Sequence, residues 1–409
     1  MEAQWTPMRW PNAWKDPGAL SLLQGTAIDY LLIGKDQDLA PVRDRARQMG
    51  IHVADPEALP SGISIIKGEW PGVKMSRGGG AELTAGPTGV PWVDSNGWAI
   101  RLAAALDPGA AVWVDAPPPD NARPSAASYL VAMADSAAYG GRWILSLDNQ
   151  LSPAIAAQRP EALAAWKKMA ATAAFFSAHQ SWSGYAPRAL VGVVSDFSGP
   201  NEFFSRELLN LLGRAGLHYI ALPKTRLAPD AFGGLRALIY PDSDAPSANL
   251  RNHVTSFVQA GGLLVAAPRW GDVPGTPSKS GEDPRYAIRT LGRGRIALAK
   301  ADPDDPYLWT NDAALLVSHR YDLVRFWNGG ATGSFYTMAP EKHAVVHLLF
   351  YANRGPDSAS VRIAGRYRTV TASTVEHPQL PKVEAEFQSE AVEVHLPQVP
   401  QYVALELET

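Results

Sequence analysis

Five short apolar runs in the first half of the chain lead straight into a carboxylate. They cover residues 63–69, 90–94, 111–115, 143–148 and 190–196, and they end on Glu69, Asp94, Asp115, Asp148 and Asp196. Short apolar runs bounded by turn signals read as strands buried on both faces, the kind that build parallel sheets. In a parallel α/β protein the ligand site opens at the carboxyl ends of the strands. Acids placed there on strand after strand point to a site that handles protons or hydroxyl-rich ligands.

Between these strands lie helical patterns. Residues 39–49 put Leu39, Val42, Ala46 and Met49 on one face, residues 98–106 form a second helix, and residues 125–139 follow Pro124, a helix-start signal. Residues 160–179 read as a long alanine-rich helix. With further strands at 8–10, 29–33 and 51–53, seven strands precede residue 186, which suggests a (β/α) barrel. Such barrels usually need about 200–250 residues. Residues 70–89, with Arg77-Gly78-Gly79-Gly80, are too rich in glycine and proline for a barrel helix and read as a hairpin or loop. The expectation is therefore a shortened or irregular (β/α) barrel over residues 1–186, the catalytic domain if there is one.

A second unit spans 187–330. Strands at 190–195, 218–222, 237–240 and 263–267 alternate with helices at 201–215 and 248–260, and the first helix stops at Gly216. This predicts a flavodoxin-like doubly wound domain, closed by a strand at 292–298 and followed by a helix over 311–327. From 331 to 409 the pattern becomes period-two, at 343–351, 360–363, 391–396 and 402–407, which predicts a small antiparallel β-sandwich.

The chain has 409 residues and a net charge of −3, so nothing in its charge calls for nucleic acid or an anionic membrane surface. No apolar run is long enough to span a bilayer. The opening Met1-Glu2-Ala3-Gln4-Trp5 has no basic, apolar leader, and the compartment stays open between the cytoplasm and export with a leader removed. Cysteine is absent, which removes disulfides, thiolate metal sites and cysteine nucleophiles together. The histidines do not fall at metal spacing; His343 and His347 share a face of one strand but stand too far apart for easy joint ligation. No cofactor and no metal is expected.

Gly192-Val193-Val194-Ser195-Asp196 through Phe257-Val258-Gln259-Ala260-Gly261-Gly262-Leu263-Leu264, and then Gly292-Arg293-Gly294-Arg295, resemble the glutamine-amidotransferase-like domain of bacterial β-galactosidases. The run His343 to Tyr351 resembles the first strand of the β-sandwich that ends such chains. The resemblance covers residues from about 190 to 409 in order and spacing, and the first half in architecture alone. It implies a glycoside hydrolase with a barrel in front and subunits associating through the middle domain. A working amidotransferase needs a cysteine, so here that domain would be a scaffold. The asparagine–glutamate pair that marks the acid in this clan is missing. If the strand count holds, Glu69 ends the fourth strand and Asp148 the seventh, the strands that carry acid and nucleophile; Gly68 stands in the asparagine's place and an aspartate replaces the second glutamate.

Glycoside hydrolysis requires two carboxyl groups across the scissile bond, about 5 Å or about 6.5–9.5 Å apart. Asp94 and Asp148 are the first candidates, with Asp115 and Glu69 beside them. Trp92, Trp98 and Trp113 offer indole faces for sugar rings, and Asn96 and Asn149 offer amides for hydroxyls. Each has a plain structural alternative: aspartate after a strand commonly caps a helix or forms a turn, and most tryptophans are core. The expected partner is a carbohydrate substrate, and the expected assembly a homo-oligomer. The competing reading is a carbohydrate-binding or assembly protein of the same architecture without catalysis; a third is a hydrolase or lyase acting on another hydroxyl-rich compound.

Overall fold

The computed structural model describes residues 5–77, 83–87, 93–228, 230–278, 283–328, 331–339, 343–351, 358–376 and 383–409. In its first part, parallel ladders run from His52–Ala54 to Tyr30–Leu32, then Pro7–Arg9, then Leu145–Ser146. A second set runs from Arg142–Trp143 to Ala111–Asp115 to Ile63–Lys67. Residues 142–146 are one continuous stretch that pairs on both sides, so the two sets join into an arc of strands in chain order. That is the order of a (β/α) barrel, but no ladder joins His52–Ala54 to Ile63–Lys67.

Alternation along each strand separates two faces. Tyr30, Leu32, Trp113 and Ile144 pack together inside the arc. Met8, Leu31, Val112, Val114, Trp143 and Leu145 form the outer core with the surrounding helices. The helices are Ala40–Gln48, Gly97–Leu106, Ala126–Ala138 and Pro160–Ala178, each within two residues of its expected ends. Ser125 opens the third by accepting the Ser128 N–H, and proline at the first position opens the fourth.

Val93 and Asp94 are not in a strand, and the rest of the 90–94 run lies outside the described residues. Within 70–89, expected as a hairpin or loop, an antiparallel hairpin pairs Val73–Arg77 with Leu83–Pro87. Among the described residues the strand that leads to Asp148 is the sixth of the arc.

The middle sheet has the order Tyr219–Pro223, Val191–Ser195, Ala237–Tyr240, Leu263–Ala266, Gly294–Ala299, all parallel, then Tyr286–Leu291 and Thr276–Pro277 antiparallel. The parallel part has the flavodoxin-like order. The helix expected over 311–327 instead spans Pro306–Val317. Asp305 takes the Tyr307 and Leu308 N–H groups at its start, and Ser318 ends it at φ +75°. The remaining residues turn into Val324–Phe326, an edge strand of the sandwich.

The sandwich stacks two antiparallel sheets. One runs Ala186–Pro187, Thr332–Met338, Ala344–Phe350, Tyr402–Glu408, Thr369–Ser373, and the other Val324–Phe326, Ala359–Ala364, Ala391–Leu396, Glu384–Phe387. The sandwich thus takes a strand from each flank of the middle unit. A continuous buried cluster runs from Leu102 on the barrel helix through Leu208 and Val265 to Val346 and Leu405, so the three parts share core. Among the described residues no helix is long and apolar enough to cross a membrane.

Candidate active site

At the carboxyl ends of the arc, the alternation that buries Trp113 and Ile144 brings Asp115 and Ser146 to the same inner face. Arg9 lies in register with Ser146, and Lys67 with Asp115. Arg9 Nη2 donates to both Asp115 carboxylate oxygens, at 2.8 and 2.9 Å, and Arg9 Nε lies 3.3 Å from Ser146 Oγ. The ion pair spans the intervening strand, which places both charges over the mouth. They remain 32% and 28% exposed, within reach of a ligand.

Glu69 stands beside this pair. The ladder bond from Gly68 N to Asp115 O, 2.9 Å, carries the pairing past Lys67, so continued alternation sets Glu69 on the face of Lys67 and Asp115. Interstrand spacing and rise together put the Glu69 and Asp115 Cα atoms roughly 8 Å apart. The Glu69 side chain is exposed, while its peptide is held on both sides by Asn96: the Glu69 N–H donates to Asn96 Oδ1 at 2.8 Å, and Asn96 Nδ2 donates to Glu69 O at 2.9 Å.

Asn96 is anchored in turn by Asp135, which is fully buried on helix Ala126–Ala138. Asp135 accepts the Asn96 N–H at 3.0 Å, Asn96 Nδ2 at 3.2 Å, Ser95 Oγ at 2.8 Å and the Tyr351 hydroxyl at 2.8 Å. Burial raises the Asp135 pKa, while these donors act to lower it. The chain Glu69–Asn96–Asp135–Tyr351 therefore ties the mouth of the arc to the C-terminal sandwich.

The other expected site residues go elsewhere. Asp148 is 5% exposed. Its Oδ1 takes the Gln150 and Leu151 N–H groups at the start of the helix Leu151–Ala156, and its Oδ2 takes the Tyr129 hydroxyl. Asp94, with its side chain 58% exposed, pairs with Arg214 of the middle unit. Trp113 is wholly buried inside the arc and has no face left for a sugar. Trp98 lines a cavity between the three parts of the molecule. Asn96 spends its amide on Glu69 and Asp135. Asn149 is exposed and donates to Asp120 O at 3.3 Å. Trp92 lies outside the described residues. Arg9, Asp135 and Tyr351 were not singled out from the sequence; the alternation Pro7–Met8–Arg9 is the one signal that could have placed Arg9 inside.

A second group of acids, Asp196, Asp242 and Asp244, gathers at the carboxyl ends of the middle sheet. Lys224 Nζ sits among them at 3.4, 2.7 and 3.0 Å, so a lysine already supplies the cation.

No family model matches this sequence, and no curated protein does. Solved structures do. A β-galactosidase from Bacillus circulans sp. alkalophilus superposes with a TM-score of 0.51 at 10% identity, over 76% of this chain and 57% of that one. A GH42 β-galactosidase from G. stearothermophilus gives 0.50 at 12% identity, over 76% and 56%. The fold resembles that of the GH42 β-galactosidases. This chain spans a little over half the length of these GH42-like structures. At such identities the likeness is one of fold, with the barrel, middle α/β unit and sandwich in the same order. Gly68, where the sequence resemblance would put asparagine, has a steric reason to lack a side chain: a Cβ there would collide with Val114 Cγ1 and crowd Asn96 Oδ1.

Proposed function

We propose that this protein is a carbohydrate-active hydrolase working at the mouth of the strand arc, with Glu69 and Asp115 as its carboxyl pair. The observation that carries this is the Arg9–Asp115 contact, one guanidinium nitrogen shared by both carboxylate oxygens, beside a Glu69 whose peptide is fixed by Asn96. The Arg9 contact holds the Asp115 side chain at the mouth, placing it to activate water or to stabilise positive charge developing on a sugar ring. Among the described residues Glu69 forms no ion pair, and it follows the adjoining strand, where it can protonate a leaving oxygen once a bound ring displaces its water. The fold likeness to glycosidases supports this class of substrate. The sugar and its linkage are set by side chains beyond this pair.

A second reading is a carbohydrate-binding or assembly protein of the same architecture that lacks catalysis. It is favoured by the fate of Asp148 and Asp94, which serve a helix start and an inter-unit ion pair.

A panel of nitrophenyl glycosides separates the two. Turnover by the parent, reduced at least about 100-fold in Glu69→Gln and in Asp115→Asn with the fold intact, supports the pair. Loss confined to Asp148→Asn or Asp94→Asn overturns it. Sugar binding without turnover across the panel selects the second reading.

A further inference from the structure

Where the barrel helix Gly97–Leu106, the middle sheet and the sandwich meet, there is a cavity of about 120 Å³. That is room for about four waters at roughly 30 Å³ each, or for one small ion. Its wall carries Arg101 from the barrel helix, His218 from the middle unit and Ser334 from the sandwich.

Arg101 is partly buried. Its guanidinium lies 3.8 Å from the Tyr219 ring centroid and 5.2 Å from that of Phe335. It makes no hydrogen bond and no ion pair to any other described residue. Stacking satisfies the face of a guanidinium and leaves its edge, with five N–H donors, unspent. The neighbouring cation, Arg214, already has Asp94.

His218 is 5% exposed. Its Nε2 reaches Ser334 Oγ at 3.4 Å, and no well-aligned hydrogen bond reaches Nδ1. The Gly216 backbone offers the ring only a poorly aligned partner, so the imidazole is weakly satisfied. The groups that face it are Arg101, Arg188, the Gly216 backbone and Ser334. Arg188 is committed to the Tyr336 hydroxyl at 2.8 Å. A partly buried cation with idle donors beside a weakly satisfied imidazole and a hydroxyl is an arrangement favourable around a negative oxygen.

We propose that this three-way junction is a binding site for a small oxyanion, a phosphate or a carboxylate, held by Arg101 and oriented by His218 and Ser334. The ligand would touch all three parts at once and stiffen their junction. The proposal is independent of the chemistry at the barrel mouth.

The test titrates the full chain with inorganic phosphate and, separately, with acetate, each against sodium chloride at matched ionic strength, and reads thermal midpoint and calorimetric binding. The expected result is a rise in midpoint above the chloride control in at least one arm, which also tells phosphate from carboxylate. In Arg101→Gln that binding weakens at least about ten-fold, through the loss of charge-assisted hydrogen bonds. A second readout needs no variant: the bound anion favours imidazolium, so the titration of His218, followed by NMR in the parent, moves to higher pH when the anion is present. Equal midpoints in all three salts, an Arg101→Gln protein that binds as the parent does, or a His218 titration indifferent to the anion would each overturn the site.

Discussion

His347 lies at 2% exposure in the central strand of the sandwich. Its Nδ1 is 2.7 Å from the Tyr402 hydroxyl, and its ring packs against Trp182 and Phe335. Burial, reinforced by the nearby His179, pushes its pKa down to about 3, and burial together with Arg101 does the same to His218. Both rings are neutral in the native protein, whereas in the unfolded chain they take a proton near pH 6.5. Between about 6.5 and 3 the unfolded state binds more protons, so stability is full above that window and is lost as pH falls through it. Each ring contributes about 1.4 kcal/mol per pH unit below 6.5. Asp135, with its pKa raised, acts with the opposite sign and loses its contribution as pH rises. The urea midpoint of the parent should therefore fall between pH 7 and pH 5. In His347→Gln, which keeps a partner for Tyr402 but cannot titrate, that fall should be about half as steep. Parallel pH profiles for parent and variant would show that His347 is not the source.

Helices and strands followed from local chemistry, and the places where expectation failed were those where a side chain answers to a distant element. Ser125, Pro160 and Gly216 mark their helix ends through contacts within a few residues, so a linear reading finds them. Asp148 also acts locally, in the capping role open to any aspartate after a strand, while Tyr129 from the preceding helix occupies its second oxygen, which no local pattern announces. Arg9 meets Asp115 across 106 positions, and Tyr351 meets Asp135 across 216, distances over which no periodicity carries information. The acids at strand ends were thus legible as a set, and their division into capping, inter-unit and mouth residues was not. The capping role predicts a graded response. Asp148→Ala strips two backbone N–H groups and a buried hydroxyl of their acceptor and should cost about 2–3 kcal/mol by urea unfolding. Asp148→Asn keeps a side-chain oxygen for the helix start and should cost about 1 kcal/mol or less. Equal losses in the two variants would mean that the charge itself is required, which a cap does not need.

In the whole molecule, the outer face of the middle unit shows more apolar surface than the rest. Phe203 is 76% exposed on the helix Glu202–Arg214. On Pro306–Val317, Leu315 is 72%, Tyr307 47% and Leu308 41% exposed. These helices pack side by side through Phe204 and Trp309, and Leu308 and Leu315, seven residues apart, lie on one face of theirs. Isolated exposed apolar side chains are ordinary, but a group of large ones on adjacent helices marks an association surface. The opposite side of the same sheet is covered by the helix Ala248–Gln259, whose Leu250, Val254 and Val258 pack on Val194, Leu238 and Leu264. We expect light scattering to give a mass of two or more chains. Phe203→Glu combined with Leu315→Glu should shift it to one chain while leaving the thermal midpoint of the individual fold nearly unchanged, since neither side chain contributes to the core. A parent that scatters as a single chain at the highest soluble concentration would remove the interface, and a double variant that stays associated would move it to another face.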